Sequence, residues 1–257
     1  MIKVVKIGGN VIDNSEALES FVADFARLEG AKVLVHGGGK LATRLAERLD
    51  IPTTMIDGRR VTDRDTLDVV TMVYAGLVNK RIVAKLQAAG CNAIGLSGAD
   101  GGAVRATRRA AKPIDFGFVG DISVEGVDAD FILSLVERGV VPVFCSIMHD
   151  GEGELLNCNA DSVASAVAVG LAQREDTELV FCFEKRGVME SVDDPDSVIA
   201  QITPQSYERL LSDGVVNKGM IPKIDGAFKA LNSGVKVVTI KHSAELTVSS
   251  SGTKIVL

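Results

Sequence analysis

The sequence predicts an α/β fold, a three-layer αβα sandwich with a mainly parallel central sheet between two layers of helices. Apolar runs of strand length alternate along the 257 residues with stretches whose apolar residues follow a helical spacing. The chain has no Trp and only 4% aromatic residues, so Val, Leu, Ile and Ala must form its core. Strands that helices bury on both faces have this aliphatic composition.

Charge and cysteine content limit the classes of partner. The formal net charge of −6 argues against nucleic acid and anionic membrane surfaces, because both select basic proteins. Four dispersed cysteines without a Cys-x-x-Cys pair are typical of reduced thiols. No apolar stretch is long enough for a signal peptide or a membrane span. We therefore expect a cytoplasmic protein with a small-molecule partner.

Two glycine-rich turns follow the first two predicted strands. Residues 2–7 form a predicted strand before Gly8-Gly9, and residues 33–36 form another before Gly37-Gly38-Gly39. The carboxyl ends of parallel strands meet at the edge where open α/β sheets bind ligands. Glycines at a helix start expose backbone N–H groups to an anion such as phosphate, although close helix packing alone would explain one such turn. Lys40 is not followed by Ser or Thr, so the turn is not a P-loop.

A hairpin and a long helix follow. Residues 52–62 indicate a short hairpin that turns at Asp57-Gly58 and projects arginines. Residues 63–89 indicate one helix whose apolar residues cover more than one face. Either deep burial of the helix or a second partner surface would explain these additional apolar residues. We expect part of them to form a subunit interface.

The rest of the chain repeats the alternation of strands and helices. Further predicted elements are strands at 92–96, 140–145, 178–183 and 235–240, and helices at 15–28, 41–49, 131–138, 162–171, 204–212 and 219–231. Residues 253–257 are expected to close an edge of the sheet. This rhythm predicts an N-terminal lobe of residues 1–174 and a C-terminal lobe of residues 175–257, joined by one continuous sheet.

Basic residues cluster on an irregular hairpin between residues 104 and 118. Arg105, Arg108, Arg109 and Lys112 form this cluster. Charge clusters of this kind usually face solvent, and we predict that this one does.

Three charged residues are the candidates for chemistry. Lys6 ends the first strand and Lys223 lies near the start of a late helix, so both are expected at the same sheet edge. A lysine in an apolar strand favours an anion partner, although a lysine that extends from the strand end into water has the same pattern. Phosphoryl transfer depends on positive charge at the transferred group, which two lysines and glycine N–H groups would supply. Asp161 could hold both lysines in place.

Other catalytic classes find little support. Three histidines, His36, His149 and His242, form no convincing arrangement of nucleophile and base, and structural roles are expected for them. Metal-ligand spacing is absent, so we predict no resident metal site and expect magnesium to arrive with a nucleotide.

Six ordered segments carry a resemblance to a known family. The segments are residues 6–10, 36–39, 58–62, 116–121, 157–161 and 219–223. Together they resemble the acetylglutamate kinases of arginine biosynthesis, within the amino-acid kinase family, over essentially the whole chain. The resemblance implies the amino-acid kinase fold and ATP-dependent phosphorylation of the γ-carboxylate of an N-acylated glutamate, with Mg²⁺ carried mainly by the nucleotide.

The resemblance also implies roles for individual residues. The catalytic lysines of the family correspond to Lys6 and Lys223, and the aspartate that organises them corresponds to Asp161. Residues expected to bind the nucleotide and its phosphates are Gly8, Gly9, Gly37, Gly38, Phe183, Glu184 and Gly187. Residues expected to bind the acylglutamate are Gly38, Gly39, Arg60, Asn157 and Asn159. A guanidinium fork at Arg60 suits the α-carboxylate.

Two departures from the family pattern affect these expectations. Residues 181–187 replace the Thr-Asp or Ser-Asp pair that such kinases usually carry beside the nucleotide, which bears on the ribose and adenine contacts. The sequence begins on its first strand, without the N-terminal helix of the arginine-inhibited hexameric members. The resemblance therefore implies a homodimer without feedback inhibition by arginine, joined partly through the helix at 63–89.

Rival functions remain open at this point. One is another kinase of the same fold that acts on carbamate, aspartate, glutamate or a nucleoside monophosphate such as UMP. Another is a catalytically silent nucleotide-binding module, which the altered 181–187 stretch would permit. The acyl group also stays open between acetyl and a bulkier group such as succinyl.

Overall fold

A computed structural model describes residues 1–56, 58–191, 194, 196–216 and 220–257. The strands in chain order are β1 (Ile2–Ile7), β2 (Lys32–His36), β3 (Met55–Ile56), β4 (Arg59–Arg60), β5 (Ala93–Leu96), β6 (Thr107–Arg108), β7 (Gly120–Asp121), β8 (Val141–Phe144), β9 (Ile147–His149), β10 (Leu155–Asn157), β11 (Thr177–Phe183), β12 (Gln201–Ile202), β13 (Val237–His242) and β14 (Thr253–Ile255). The helices are α1 (Gly9–Asp13), α2 (Ser15–Arg27), α3 (Gly39–Arg48), α4 (Arg64–Thr71), α5 (Asn79–Ala88), α6 (Ala129–Glu137), α7 (Ala160–Ala172), α8 (Pro204–Ser212) and α9 (Ile221–Asn232), with a π-helical segment (Met72–Val78) between α4 and α5.

The central layer is a mainly parallel sheet. Within the described residues it has eight strands in the order β12-β14-β13-β11-β1-β2-β8-β5. The pairing of β13 with β14 is antiparallel, and the other pairings in this sheet are parallel. The sheet includes strands from before and after residue 174, because β11 pairs with β1.

Helices cover both faces of the sheet and produce two apolar cores. Val4 of β1 belongs to the core under α6, α7 and α9, whereas Val5 and Ile7 belong to the core under α2, α3 and the long helix. Because successive strand residues point to opposite faces, a strand buried on both sides is apolar almost continuously. The α/β sandwich predicted from the sequence is therefore confirmed.

The predicted helix at 63–89 forms, but it is not α-helical throughout. Asp63 caps it by accepting a hydrogen bond from the Thr66 amide at 2.8 Å. The helix continues through α4, the π-helical segment and α5. Met72 and Leu77 lie on its outer side with 53% and 40% of their surfaces exposed.

Two elements differ from the sequence prediction. Residues 253–257 do not close the sheet edge, because β12 pairs outside β14 and forms that edge. A strand of two residues, Gln201–Ile202, shows no alternation by which a sequence pattern could reveal it. The hairpin of β9 and β10 was not predicted either, since each strand has three residues and Asp150 folds the loop between them by accepting from the Glu152 amide at 2.7 Å.

The hairpin predicted at 52–62 forms at the expected place, whereas the hairpin predicted at 104–118 pairs β6 with β7, which lies beyond the predicted range. Strands β3 and β4 pair antiparallel, and the predicted turn residue Asp57 lies outside the described residues. In the basic cluster, Arg105, Arg108 and Lys112 are exposed as predicted. Arg109 is half-buried because it forms an ion pair with Asp121 of β7.

His36 has a structural role at the end of β2. Its ring is fully buried, with Nδ1 2.8 Å from the Gly37 carbonyl oxygen. The Asn79 side-chain amide donates to the Val143 carbonyl and lies 3.0 Å from His36 Nε2. This network fits a neutral ring that donates from Nδ1 and accepts at Nε2. Burial accordingly lowers the pKa of His36 to about 4.

His36 makes the free energy of unfolding depend on pH. Because the folded state depresses its pKa, the unfolded chain takes up the proton first, and stability is lost as pH falls from the unfolded value towards the folded value of about 4. We expect the wild type to lose about 2 kcal/mol more than the non-titrating variant His36→Gln between pH 7.5 and about pH 5. Urea unfolding at both pH values measures the difference. Equal losses in the two proteins would contradict the role of His36.

Candidate active site

The candidate site lies where β1 and β2 end and the first turns of α3 and α7 approach each other. Lys6 is in β1, and the glycine turn follows β2, its neighbour in the sheet. A Cβ atom added at Gly37 would lie 3.6 Å from the Cβ atom of Ala160, the first residue of α7. Since the first N–H groups of a helix have no partner in the helix, the first turn of α3 presents backbone donors at this edge.

Asp161 brings the two predicted lysines together. The Lys6 ammonium lies 2.7 Å from Asp161 Oδ1, and the Lys223 ammonium lies 3.1 Å from Asp161 Oδ2. Lys6 comes from the first strand and Lys223 from the first turn of α9, so a single carboxylate joins groups that are more than 200 residues apart in sequence. The two ammonium groups therefore lie on the same carboxylate, at the carboxyl end of the sheet.

The electrostatics of this triad keep the carboxylate charged. Burial of the Asp161 carboxyl would raise its pKa, but the positive charges of Lys6 and Lys223 lower it, and the resulting pKa lies below the ordinary value for aspartate. Asp161 also lies in the first turn of α7, where the helix dipole favours a negative charge. The two lysines therefore share a permanently ionised partner at neutral pH.

Phe183 covers the same lysines from another side. Its ring centroid is 5.0 Å from the Lys6 ammonium and 4.0 Å from the Lys223 ammonium. Both distances lie within the range in which a cation is attracted to the face of an aromatic ring. The ring of Phe181 stacks on Phe183 with centroids 6.1 Å apart and fixes its orientation. Phe183 therefore contacts the lysines through its ring, which a Thr or an Asp could not do.

The two asparagines of the segment 157–161 have different surroundings. Asn159 caps α7, because its Oδ1 accepts from the amides of Asp161 at 2.9 Å and Ser162 at 3.1 Å. Its Nδ2 group is not used by the cap. Asn157 ends β10, is 7% exposed, and donates from Nδ2 to Thr62 Oγ1 at 3.0 Å. Since Asn159 serves as the cap, Asp161 is left to bind the lysines.

Arg60 is buried beside the glycine turn. Its guanidinium donates to the Gly39 carbonyl at 3.0 Å and to Thr43 Oγ1 at 2.8 Å, and a second nitrogen lies 3.2 Å from Thr53 Oγ1. Only 7% of the residue is exposed. A buried guanidinium with neutral partners needs an anion to balance its charge, so Arg60 is suited to bind a carboxylate.

Two adjacent cavities open around these residues. The smaller has a volume of about 200 Å³, and among the predicted residues it is lined by Lys6, Gly9, Gly37, Gly38, Gly39, Arg60, Asn157 and Asn159. The larger has a volume of about 440 Å³, extends between α7 and α9, and is lined by Asn159, Asp161 and Lys223. The triad of Lys6, Asp161 and Lys223 therefore lies at the junction of the two cavities.

Several predicted residues lie outside these linings. The Gly8 amide donates to the Cys182 carbonyl at 2.9 Å and so is not free to bind an anion. Glu184 accepts a hydrogen bond from Asn10 at 2.6 Å. Gly187 packs against Thr253, whose hydroxyl would lie 2.7 Å from an added Cβ atom. Gly219, which opens the last resemblance segment, lies outside the described residues.

Other residues that line the smaller cavity were not selected from the sequence. They are Met55, Gly58, Arg59, Tyr74, Val119, Ser146, Cys158 and Ala160. Arg59 precedes Arg60 on the hairpin, and Ser146 follows β8, so a systematic search of the carboxyl ends of the strands would have found both. Tyr74 lies among apolar residues on the long helix, where its spacing predicts a core residue and gives no sign of a polar role.

The described residues contain neither a candidate metal cluster nor a helix that could span a membrane. Among the described residues, no cluster of three or more His, Cys, Asp or Glu side chains could hold a metal ion. In the part of the chain that the structure describes, every helix is too short or too polar to cross a bilayer.

The contact between Lys6 and Asp161 should be measurable as a coupling energy. In a double-mutant cycle of Lys6→Met and Asp161→Asn, we expect a coupling of about 1–2 kcal/mol in urea unfolding, because the lysine is buried and the carboxylate only partly exposed. The exposed pair of Lys236 and Asp176, at 3.3 Å, is the matched control and should give less than about 0.5 kcal/mol. Equal couplings for the two pairs would contradict the prediction.

Comparison with known proteins identifies the family of this chain. The model of the amino acid kinase family matches residues 1–242. An acetylglutamate kinase from Cytophaga hutchinsonii is 52% identical over 244 residues, which cover 95% of this chain and 92% of that protein. An acetylglutamate kinase from Phocaeicola vulgatus is 48% identical over 254 residues, which cover 99% of this chain and 98% of the relative.

A solved structure has the same fold. The crystal structure of smu.665 from Streptococcus mutans UA159 is 31% identical in sequence, with a TM-score of 0.79, and the match covers 99% of this chain and 98% of that one. Family model, relatives and solved structure all match nearly the whole chain. This chain belongs to the amino acid kinase family.

Proposed function

We propose that this protein transfers the γ-phosphoryl group of ATP to the γ-carboxylate of N-acetyl-L-glutamate or of a related N-acyl-L-glutamate, giving an acyl phosphate and ADP. The observation that carries the proposal is the placement of the Lys6 and Lys223 ammonium groups on Asp161, between two cavities. The relatives with 52% and 48% sequence identity are named acetylglutamate kinases, which supports the choice of substrate.

The lysines and the glycine turns would stabilise the phosphoryl group during transfer. Charge spreads over three oxygens of that group, so fixed positive charges and backbone N–H donors lower the barrier more than a covalent nucleophile would. Lys6 lines the smaller cavity and Lys223 the larger, so each can contact the group from one side. Gly9, Gly37 and Gly38 line the smaller cavity and would donate their amides. Asp161 would orient both lysines without taking part in bond formation.

The smaller cavity would hold the acylglutamate. Arg60 would bind its α-carboxylate, and the free Nδ2 group of Asn159 would donate to the substrate together with Asn157. Gly38 and Gly39 line this cavity, and their backbone would lie beside the substrate. These contacts would direct the γ-carboxylate towards Lys6. The smaller cavity would thus position the acceptor for attack.

The reaction needs no general base. One oxygen of the γ-carboxylate attacks the γ-phosphorus, and the bond from that phosphorus to the bridging oxygen of ADP breaks. The attacking carboxylate is already ionised at neutral pH, so no proton has to be removed. The lack of a histidine or carboxylate arranged as a base among the residues of the two cavities is consistent with this course.

The nucleotide is proposed to bind on the side of the C-terminal lobe, residues 175–257. The donors at the site, two ammonium groups and backbone amides, fit a polyphosphate, and the larger cavity reaches the first turn of α9. Mg²⁺ would be carried mainly by the nucleotide, where it neutralises phosphate charge. Phe183, Glu184 and Gly187 lie on this side, and we assign the ribose and adenine contacts to their neighbourhood. Residues 1–174 would bind the acylglutamate.

We also propose that the protein is a homodimer joined partly through the long helix. Met72 and Leu77 on the helix and Ile94 on the edge strand β5 are exposed apolar side chains, with exposed fractions of 53%, 40% and 38%. Burial of such residues between two copies would explain the excess of apolar positions on this helix. Sedimentation equilibrium should give twice the chain mass of 27.1 kDa. The mass of a single chain would contradict the proposal.

The product suggests the metabolic place of the enzyme. An acyl phosphate of N-acylglutamate is activated for reduction at the γ-carbon, and we infer a role in arginine biosynthesis in the cytoplasm. Fractionation of cells that express the tagged chain would contradict this location if the protein sedimented with membranes.

The function is tested by coupled ADP release with purified enzyme and a panel of acceptors. We expect turnover with N-acetyl-L-glutamate or N-succinyl-L-glutamate, and none with carbamate, aspartate, glutamate or UMP, because Arg60 and the asparagines select an acylated amino acid. The ratio of kcat/KM for the two acylglutamates identifies the acyl group. Turnover with another acceptor, or ATP binding without turnover, would contradict the proposal.

The same assay separates the roles of the charged residues. Lys6→Ala and Lys223→Ala should chiefly lower kcat, by about 100-fold or more, since they remove charge at the transferred group. Arg60→Ala should chiefly raise the KM of the acylglutamate. A reversed pattern would overturn the assignment of roles.

A further inference from the structure

The π-helical segment lies where the long helix passes the glycine turn. The π-helical hydrogen bonding is seen at Asn79, whose backbone N–H donates to the carbonyl of Tyr74, five residues earlier. Such segments are rare, and they occur frequently at functional sites. At the end of this segment the Asn79 side chain contacts His36, directly before the glycines. The segment is therefore fixed against the turn that lines the smaller cavity.

Within this segment, Tyr74 faces the smaller cavity. Its side chain is 6% exposed and lines the cavity with Lys6, Gly38 and Arg60. A Cβ atom added at Gly38 would lie 2.9 Å from Tyr74 Cδ1, so the ring packs directly on the glycine backbone. The Tyr74 hydroxyl is at the far end of this contact, where a Cβ atom added at Gly39 would lie 3.9 Å from it.

The hydroxyl is a donor that has a cation beside it. Burial raises the pKa of Tyr74, and the positive charge of the neighbouring Arg60 only partly offsets that rise. The phenol is therefore protonated at neutral pH. A guanidinium can only donate hydrogen bonds, so the phenol proton has no acceptor on Arg60. The proton is thus available to an acceptor in the cavity, next to the guanidinium that would hold a carboxylate.

We propose that Tyr74 binds the acylglutamate, donating a hydrogen bond from its hydroxyl to a substrate oxygen beside Arg60. This inference rests on the proposed function, because it concerns the same substrate and the same cavity. It makes Tyr74 a residue that sets affinity for the acceptor and leaves the phosphoryl transfer itself to Lys6, Lys223 and Asp161. The π-helical segment would then be retained because it aligns this side chain with Gly38.

The test compares Tyr74→Phe with a matched control, Tyr207→Phe. The chain has two tyrosines, and the Tyr207 hydroxyl bonds to Asp225 at 2.9 Å, outside both cavity linings. We expect Tyr74→Phe to raise the KM of the accepted acylglutamate about tenfold or more, with kcat and the KM of ATP changed less than about twofold. Tyr207→Phe should leave both KM values unchanged. An unchanged acceptor KM in Tyr74→Phe would overturn the inference.

A binding measurement can be made on the Tyr207→Phe protein, which keeps Tyr74. Because the chain has no Trp, Tyr74 is the sole tyrosine fluorophore in the Tyr207→Phe protein. Addition of N-acetyl-L-glutamate without ATP should change this emission saturably, and the same addition should leave the emission of Tyr207 in Tyr74→Phe unchanged. Saturable binding without any change in Tyr74 emission, or equal changes in both proteins, would count against the inference. Wild-type enzyme that turns over no acylglutamate would instead overturn the proposed function, and the role of Tyr74 with it.

Discussion

The repulsion between two ammonium groups is the constraint on which the site depends. Lys6 and Lys223 can lie together because Asp161 offers one oxygen to each, and because the ring of Phe183 covers both. Asp161 is available for this because Asn159 already caps α7. Without the carboxylate, each lysine would be driven towards water and away from the other. The protein's own groups thus hold two positive charges at fixed positions, as the proposed phosphoryl transfer requires.

The sheet topology brings these groups together, although they lie far apart in the sequence. Strand β1 lies between β2 and β11 at the centre of the sheet, so Lys6 reaches both the glycine turn and the C-terminal part of the chain. Helix α7 packs across β1 and β11, and its first turn carries Asp161 between the two. Similarly, Asn79 joins the long helix to His36 and fixes the turn from its other side. Each side chain at the site is therefore supported by an element of the core.

Much of the fold and part of the site could be predicted from the sequence. Continuous aliphatic runs such as Ile2–Ile7 predicted the sheet, and glycines at strand ends predicted the edge at which the candidate site lies. Short elements such as β12 were beyond prediction, because a strand of two residues has no period. Gly8 forms a backbone hydrogen bond to β11, and Gly187 packs closely against Thr253. The sequence alone does not show whether a glycine is required by such a neighbour or by a ligand. Tyr74 was missed since a tyrosine on an apolar stripe usually belongs to the core, and the π spacing that turns it to the cavity cannot be read from periodicity.

The central position of β1 also has a consequence during synthesis. The first strand leaves the ribosome early and finds its partner β2 within some thirty residues, but its other neighbour, β11, begins only at Thr177. Until then, the backbone groups on one edge of β1 have no partner strand. The two cores that contain Val4 and Val5 also lack the residues of β11. An open, aliphatic strand edge is a template for pairing with other chains. Translation of the middle of the chain is therefore the period in which this edge is open to pairing with other chains, and the arrival of β11 ends that exposure.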